Sequence, residues 1–411
     1  MPFIGNKPTA IPLSADDLEN NIITSAKIVD GTIATADIAD ANVTAAKLAS
    51  GTVQNQSAFK NIIINGDMSI AQRGTSTASI TTSGYYTVDR FNLGITTLGT
   101  WTQSQDTDVP TGQGFAKSLK MDCTTADGSP GSNDVLQINY KMEGQQLQYL
   151  KKGTSSAEST TLSFWIKATK TGTNIVELFD LDNGRQISKS YTVSSSNTWE
   201  KKTITFAGDT SGAFGNDNAA SLQLDFFFGA GSNYTSGTLN TSWNSNTTAN
   251  RAVGQVNHAD STSNNIYITG VQLEAGTTAS DFEFLPFDIN FYRCARYYQK
   301  VGINTGQYTF MPSHSDGWSG QAQLGVLYLP YTFRANATTE YSGSWTGRGA
   351  LNSDNNCVPG GTLSRSNSDG TATGHQYRFS WNANQNSTSL GTGAMYYSNA
   401  STNDLAFDAE L

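Results

Sequence analysis

The chain has 411 residues, a net charge of −9, only 14% charged residues and 39 Gly against 9 Pro. An acidic balance excludes broad phosphate neutralisation, and with it nucleic-acid binding or attraction to an anionic membrane surface, while no apolar run approaches the ~20 residues of a membrane span. The three cysteines, Cys123, Cys294 and Cys357, are odd in number and far apart, which excludes a disulfide framework or a zinc-ligand spacing.

Met1 to Pro12 carries Pro2, Pro8 and Pro12 and no periodicity. It reads as an extended arm, either an anchor for a larger assembly or a frayed terminus. No basic-then-apolar leader follows Met1, so the expectation is a chain made in a reducing cytosol.

From Leu13 the apolar residues fall at every fifth position: Leu13, Leu18, Ile23, Ile28, Ile33, Ile38, Val43, Leu48 and Val53. A five-residue step drifts by roughly 140° around a helix and makes no stripe. In a strand an odd step throws successive side chains to opposite faces. One chain cannot bury such rungs in a single regular element, but several copies wound about a common axis could. Ala26, Ala36 and Ala46 leave room for close approach. The expectation for 13–57 is a fibrous shaft, three-stranded, with a disordered linker or a plain helix as the alternatives.

At Phe59 the texture changes to short β-like runs broken by Gly, Asn, Asp and Ser. Strands are expected at Asn61–Asn65, Val135–Met142, Thr161–Ala168, Ile175–Leu181, Gln186–Val193, Trp199–Phe206, Leu222–Phe228 and Ile266–Leu273. Asn183-Gly184 between two of them predicts a type I′ hairpin. Gly208–Asn264 is less regular, and a loop that long usually binds something or is disordered. Many short strands and no convincing long helix predict a mainly β fold with a β-sandwich at 58–287. Residues 288–300 form a connector that could be a short helix, with Arg293, Arg296 and Lys300 facing water. A second β domain follows at 301–411, with strands at Leu324–Tyr328, Gln376–Trp381, Met395–Tyr397 and Leu405–Phe407.

Three groups of motifs then stand out: Asn61-Ile-Ile-Ile-Asn-Gly-Asp67 with Gln72-Arg-Gly74 and Tyr86-Thr-Val-Asp-Arg90; Thr161-Leu-Ser-Phe-Trp-Ile-Lys-Ala168; and Ile266 to Gly276 with Phe284-Leu-Pro-Phe287 and Cys294-Ala-Arg-Tyr-Tyr298. As a set, over about residues 59–300, they resemble tail-fibre and structural virion proteins of tailed bacteriophages. The repeat at Ile23–Thr52 is similar to repeats that precede such domains, and the Asp408-Ala-Glu-Leu411 ending looks more loosely like fibre tips. A chain built inside a cell but dressed for the outside suits a virion. The resemblance implies a jelly roll like that of carbohydrate-binding modules, a homotrimer, docking of the N-terminus on other virion proteins, and attachment to host-surface polysaccharide. It implies a virion tail location, with assembly in the host cytoplasm and no cofactor. Some related jelly rolls hold calcium against an acidic pair in the last strand. Here Tyr267-Ile-Thr-Gly-Val271 lacks that pair, which leaves Asp67 as the one candidate ligand.

Sugar rings take flat aromatic faces beside amides and hydroxyls. Trp243, Trp318 and Trp345 sit in polar, Gly- or Ser-flanked stretches, suited either to glycan or to packing against a neighbouring subunit. Trp165, on the polar face of its strand, suits subunit packing. For catalysis, Ser313-His-Ser-Asp316 is too local to aim a nucleophile, base and orienter at one another, and His258 with Asp260 is no better. Asp180, Asp182 and Asn183 echo a calcium loop in the wrong glycine register. The reading is a non-enzymatic attachment fibre. A polysaccharide-degrading tailspike and a purely structural connector or head-decorating fibre are the competing readings, since glycosidase carboxylates are paired in space rather than in sequence.

Overall fold

Alternation builds the core. In Val135–Glu143 the side chains of Leu136, Ile138, Tyr140 and Met142 share one face, and in Thr160–Ala168 so do Leu162, Phe164, Ile166 and Ala168; all are buried. The computed structural model describes residues 59–302 without interruption, then 308–315, 322–328, 331–335, 337–341, 345–349, 354–359, 364–365, 376–383, 394–398 and 404–411. The arm at 1–12 and every rung of the 13–57 repeat lie outside the described residues. Contacts divide the chain into two units, 1–58 and 59–411, and the architecture below is that of the second.

Its strands are β1 (Ser76–Ile80), β2 (Asn92–Thr96), β3 (Thr100–Asp106), β4 (Ser118–Thr125), β5 (Val135–Glu143), β6 (Thr160–Ala168), β7 (Gly172–Asp180), β8 (Arg185–Val193), β9 (Glu200–Phe206), β10 (Ala220–Ala230), β11 (Asn244–Ser245) and β12 (Asn265–Ala275). They form two six-stranded antiparallel sheets, in the orders β1-β3-β4-β12-β6-β9 and β11-β8-β7-β10-β5-β2. The chain crosses repeatedly between the sheets, the wrapped double-sheet arrangement of a jelly roll. Phe164 of the first sheet meets Tyr191 and Phe226 of the second edge-on, at 5.2 and 5.0 Å between ring centroids. That geometry suits the ring quadrupoles and ties the two layers together.

Two local expectations are corrected. Asn61–Asn65 is not a strand. Its apolar run is buried, but its backbone is held by the Asn61 side chain (Oδ1 accepting from Ile63 N–H at 3.0 Å and Leu273 N–H at 3.1 Å) and by Tyr140 Oη, which accepts from Ile64 N–H at 2.8 Å. Gly66 then lets the chain pass against β12, where a Cβ would stand 2.0 Å from the Val271 carbonyl oxygen. The hairpin at Asn183-Gly184 is also not a two-residue turn. Asp180 pairs with Arg185, so four residues form the loop, with only Gly184 at positive φ (60°). The Asp180 carboxylate accepts the Asp182 and Asn183 N–H groups at 3.0 Å each, and that side-chain cap sets the wider loop.

After the sandwich, a helix spans Phe287–Ala295. Arg296, just beyond it, is not in water: its guanidinium donates to both oxygens of fully buried Glu143, at 3.1 and 2.9 Å. The distal strands are β13 (Tyr298–Gly302), β14 (Tyr308–Ser315), β15 (Ala322–Tyr328), β16 (Thr338–Tyr341), β17 (Trp345–Gly349), β18 (Asp354–Pro359), β19 (Ser364–Arg365), β20 (Gln376–Ala383), β21 (Ala394–Ser398) and β22 (Asp404–Asp408). The four strands expected in this part are all present. The sheet β15-β14-β21-β17-β18-β20-β19 gains a β15–β20 pairing that closes it on itself. A separate sheet, β13-β22-β16, joins the outgoing and returning chain. Among the described residues no helix is long and apolar enough to cross a membrane.

Candidate functional site

Three of the motif pairs scattered through the sequence, Gln72-Arg73, Asp89-Arg90 and Tyr297-Tyr298, meet at one place, where β13-β22-β16 joins the sandwich. Gln72 donates from its backbone N–H and from Nε2 to the two oxygens of Asp89 (2.8 and 2.6 Å), and Nε2 also reaches the Tyr298 carbonyl at 2.8 Å. Burial pushes the Asp89 carboxyl up to about 6, against the pull of the Gln72 hydrogen bonds. Arg73 donates to Asp408 at 2.8 Å and to Glu410 at 3.4 Å, and its guanidinium lies 3.7 Å from the Tyr298 ring centroid and 5.1 Å from that of Tyr85. Arg90, fully buried, stacks 3.4 Å from the Tyr297 centroid, pairs with Glu410 and donates to the Lys141 carbonyl at 2.7 Å.

Beside this joint a cleft of about 610 Å³ opens, lined by Arg73, Ser83, Gly84, Tyr85, Tyr86, Tyr298, Lys300, Glu340, Ala406 and Asp408. Its wall at Ser83–Tyr86 is fixed by paired backbone hydrogen bonds between Gly84 and Leu93, 2.9 Å each. Tyr86 Oη donates to the Thr82 carbonyl at 2.7 Å and Tyr85 Oη to the Leu411 carbonyl at 3.2 Å, so the rings are held in place. The Glu340 carboxyl is shifted upward by burial and by the like charge of Asp408. Tyrosine faces beside hydroxyl, carboxylate and cationic groups form a surface suited to a polyhydroxylated ring.

The outer face of the second sheet carries another polar constellation, and it is closed. Residues 231–257 fold over it. Arg251 donates to Glu177 at 2.8 and 2.5 Å and to Asp225 at 3.2 Å, with its guanidinium 4.8 Å from the Phe179 centroid. Burial pushes Glu177 up to about 7 and raises Asp225, against the pull of Arg251. One cation facing two buried carboxylates leaves a proton for the pair to hold.

Of the residues singled out in the sequence and described by the structure, Trp243 and Asp180 both face one cation, Lys152. Trp243 is half-buried against the core, donates from its indole N–H to the Ala207 carbonyl at 2.8 Å and faces Lys152 Nζ at 5.4 Å. Trp318 lies outside the described residues. Trp345 opens β17, paired with Cys357 and Ser398, and its side chain is outside the described set. Asp67 accepts from Asn290 Nδ2 at 3.1 Å, and among the described residues no group of three or more His, Cys, Asp or Glu converges to hold a metal. Asp180, the supposed calcium-loop echo, faces Lys152 Nζ at 2.5 Å. His258 is buried, bonded through Nε2 to Asn174 Oδ1 at 2.8 Å, and burial lowers it to about 4. His314 lies on β14 and Asp316 outside the described residues.

No protein-family model matches the chain, and no curated protein matches it. Among solved structures it is similar to the enzymatically active domain of tailspike protein 4 of bacteriophage CBA120 (15% identity, 53% of this chain, TM-score 0.29), of which it spans only 21%. It is similar to the N-terminal cellulose-binding domain of Cellulomonas fimi β-1,4-glucanase C (12% identity, 51% of this chain and 100% of that one, TM-score 0.25). It is also similar to the CBM22-2 xylan-binding domain of Paenibacillus barcinonensis Xyn10C (16% identity, 52% and 96%, TM-score 0.24). At these identities and TM-scores the likenesses decide nothing about function.

Proposed function

We propose that the chain is a tail-fibre subunit of a tailed bacteriophage, a structural virion component that attaches to host-surface glycan through the tyrosine cleft. The arm at 1–12 docks on other virion proteins, the rungs at 13–57 hold three copies together, and the particle is assembled in the host cytoplasm. The observation that carries the glycan reading is the open cleft in which Tyr85, Tyr86 and Tyr298 stand beside Ser83, Lys300 and Glu340. Three weak sites on one rigid body gain avidity through effective concentration. Trp318 and Trp345 are proposed as further contacts on the distal part.

Adsorption of the purified full-length chain to host and non-host cells tests this. Tyr86→Ala removes one ring face and should weaken binding about tenfold per site, equivalent to ~1.4 kcal/mol, with sedimentation unchanged. Adsorption equal to that of the parent would remove the cleft from the case. A second reading, glycan cleavage, is favoured by one observation: Glu340 and Asp408 line the same cleft, and the first is shifted toward the protonated form a general acid needs. Release of new reducing ends from host polysaccharide, lost in Glu340→Gln while binding persists, would establish it.

A further inference from the structure

One side of the tyrosine cleft is a face of the small sheet β13-β22-β16, and the register fixes what that face carries. Asp408 of the central strand is paired with Tyr298 on one side and Thr338 on the other, and Ala406 with Lys300 and Glu340. Residues directly opposite in a ladder, and those two positions along a strand, share a face. These six side chains therefore stand on the same side of the sheet, and all but Thr338 line the cleft. Ala406 projects only a methyl group, and neighbouring strands lie about 4.8 Å apart. The middle of the face is thus a trough, with the Lys300 and Glu340 backbones roughly 10 Å apart across it. The segment 83–86, with Tyr85 and Tyr86, supplies the wall.

The charges in the trough are unequally matched. Arg73 is held by two carboxylates, Asp408 at 2.8 Å and Glu410 at 3.4 Å, and its guanidinium is already seated on the Tyr298 ring at 3.7 Å. Glu340 is exposed in the cleft and has no hydrogen bond and no ion pair among the described residues. Burial and then the like charge of Asp408, against the weaker pull of Arg73, push its carboxyl upward. A neutral sugar leaves that charge uncompensated, and an acidic sugar brings a third carboxylate to Glu340 and Asp408. A protonated amine satisfies it, and the tyrosine ring faces favour a cation again. We infer that the cleft selects an amino sugar, its amine on the Glu340 carboxylate and its ring against the tyrosine wall. The inference rests on the glycan reading proposed above and names the sugar chemistry.

The full-length protein is titrated with glucosamine, N-acetylglucosamine and galacturonate oligomers of equal length, and with spermine, which carries amines without a ring. The net charge of −9 attracts any polycation. Glu340→Gln is therefore compared with Glu158→Gln, which removes the same charge from an exposed site outside the cleft. The glucosamine oligomer should bind about tenfold more tightly than the other two sugars, the size of one charged hydrogen bond. Glu340→Gln should abolish that preference and Glu158→Gln should leave it. Equal binding of the free-amine and N-acetylated oligomers, weakened alike by Tyr86→Ala, would overturn the amine assignment and leave the glycan cleft standing. Spermine binding as tightly as the glucosamine oligomer, or equal losses in the two Gln variants, would reduce the effect to net charge and overturn it. Binding of no sugar oligomer would also overturn it, and adsorption of Tyr86→Ala to host cells then decides separately whether the glycan reading falls too.

Discussion

Replacing Arg251 by Met should cost the folded chain about 3–5 kcal/mol, because a buried charge pair that loses one partner leaves the other uncompensated. Glu177 and Asp225 are both fully buried, and both pair with Arg251, from the segment that crosses the outer face of β7 and β10. The apolar stem of Met retains some packing against Phe179 and Phe227, so the loss reads mainly on charge. Adding Glu177→Gln and Asp225→Asn should recover most of the loss, since the triple variant has no charge left to bury. The measurement is the denaturant midpoint of the full-length chain. A loss below about 1 kcal/mol would place the pair in a solvated rather than a buried setting.

The same cluster fixes the sign of a pH dependence. Glu177 is pushed up to about 7 in the folded chain, from an unperturbed value near 4.3. Between those two values the folded state holds more protons than the unfolded one, so stability falls as pH rises. The contribution of Glu177 is fully present below its unfolded pKa and is lost as pH passes through about 7. His258 works in the opposite direction: lowered to about 4, it withdraws stability as pH falls below its unfolded pKa near 6.5. Arg251→Met should therefore be less damaging at pH 5 than at pH 8, because the stranded carboxylates can take up protons. Thermal midpoints of parent and variant across that range should diverge toward alkaline pH.

How much of this was legible depended on whether a residue's partners were local. Strands β5 and β6 declare themselves because each alternates an apolar face with a polar one. Strand β3, Thr-Trp-Thr-Gln-Ser-Gln-Asp, does not, since beside Trp101 it buries Gln103, whose carbonyl oxygen accepts a hydrogen bond from Thr87 Oγ1 at 2.8 Å. A buried polar residue with a tertiary partner looks like surface in a sequence. Asn61–Asn65 fails the other way: a β-branched apolar run is buried, but its hydrogen bonds go to side chains rather than to a ladder. At the joint, Gln72-Arg73, Asp89-Arg90 and Tyr297-Tyr298 were visible as motifs without a role. Arg73 and Asp408 stand 335 positions apart, and spacing carries no signal at that range. Trp243, Trp318 and Trp345 drew attention by composition alone, whereas the cleft is walled by tyrosines and by residues that come from five separate segments.

That joint yields the other large effect. Glu410 is nearly buried and faces two guanidinium groups, Arg90 and Arg73. Arg90 is the more exacting of the two. It is 1% exposed, sandwiched between Tyr297 and Tyr140 at 3.4 and 5.0 Å, and its Nε has no hydrogen-bond partner. A guanidinium cannot shed its proton to escape burial as a carboxylate can gain one. Glu410→Ala should therefore cost about 3–5 kcal/mol, and the loss should fall on the attachment of β22 rather than evenly over the sandwich. Arg73 retains Asp408, Ala409 N–H still reaches the Tyr297 carbonyl at 2.7 Å, and β22 keeps its pairing with β13. These contacts are too few to hold a buried cation that has lost its anion. The expected outcome is faster proteolytic cleavage beyond Lys300 and a single thermal transition that splits in two, the sandwich melting later. Arg90→Met combined with Glu410→Leu removes both charges from the same space and should restore the single transition. If Glu410→Ala melted as the parent does, the joint would be held by its backbone hydrogen bonds alone, and the cleft wall built on Arg73, Tyr298 and Asp408 would need no ion pair to stay in place.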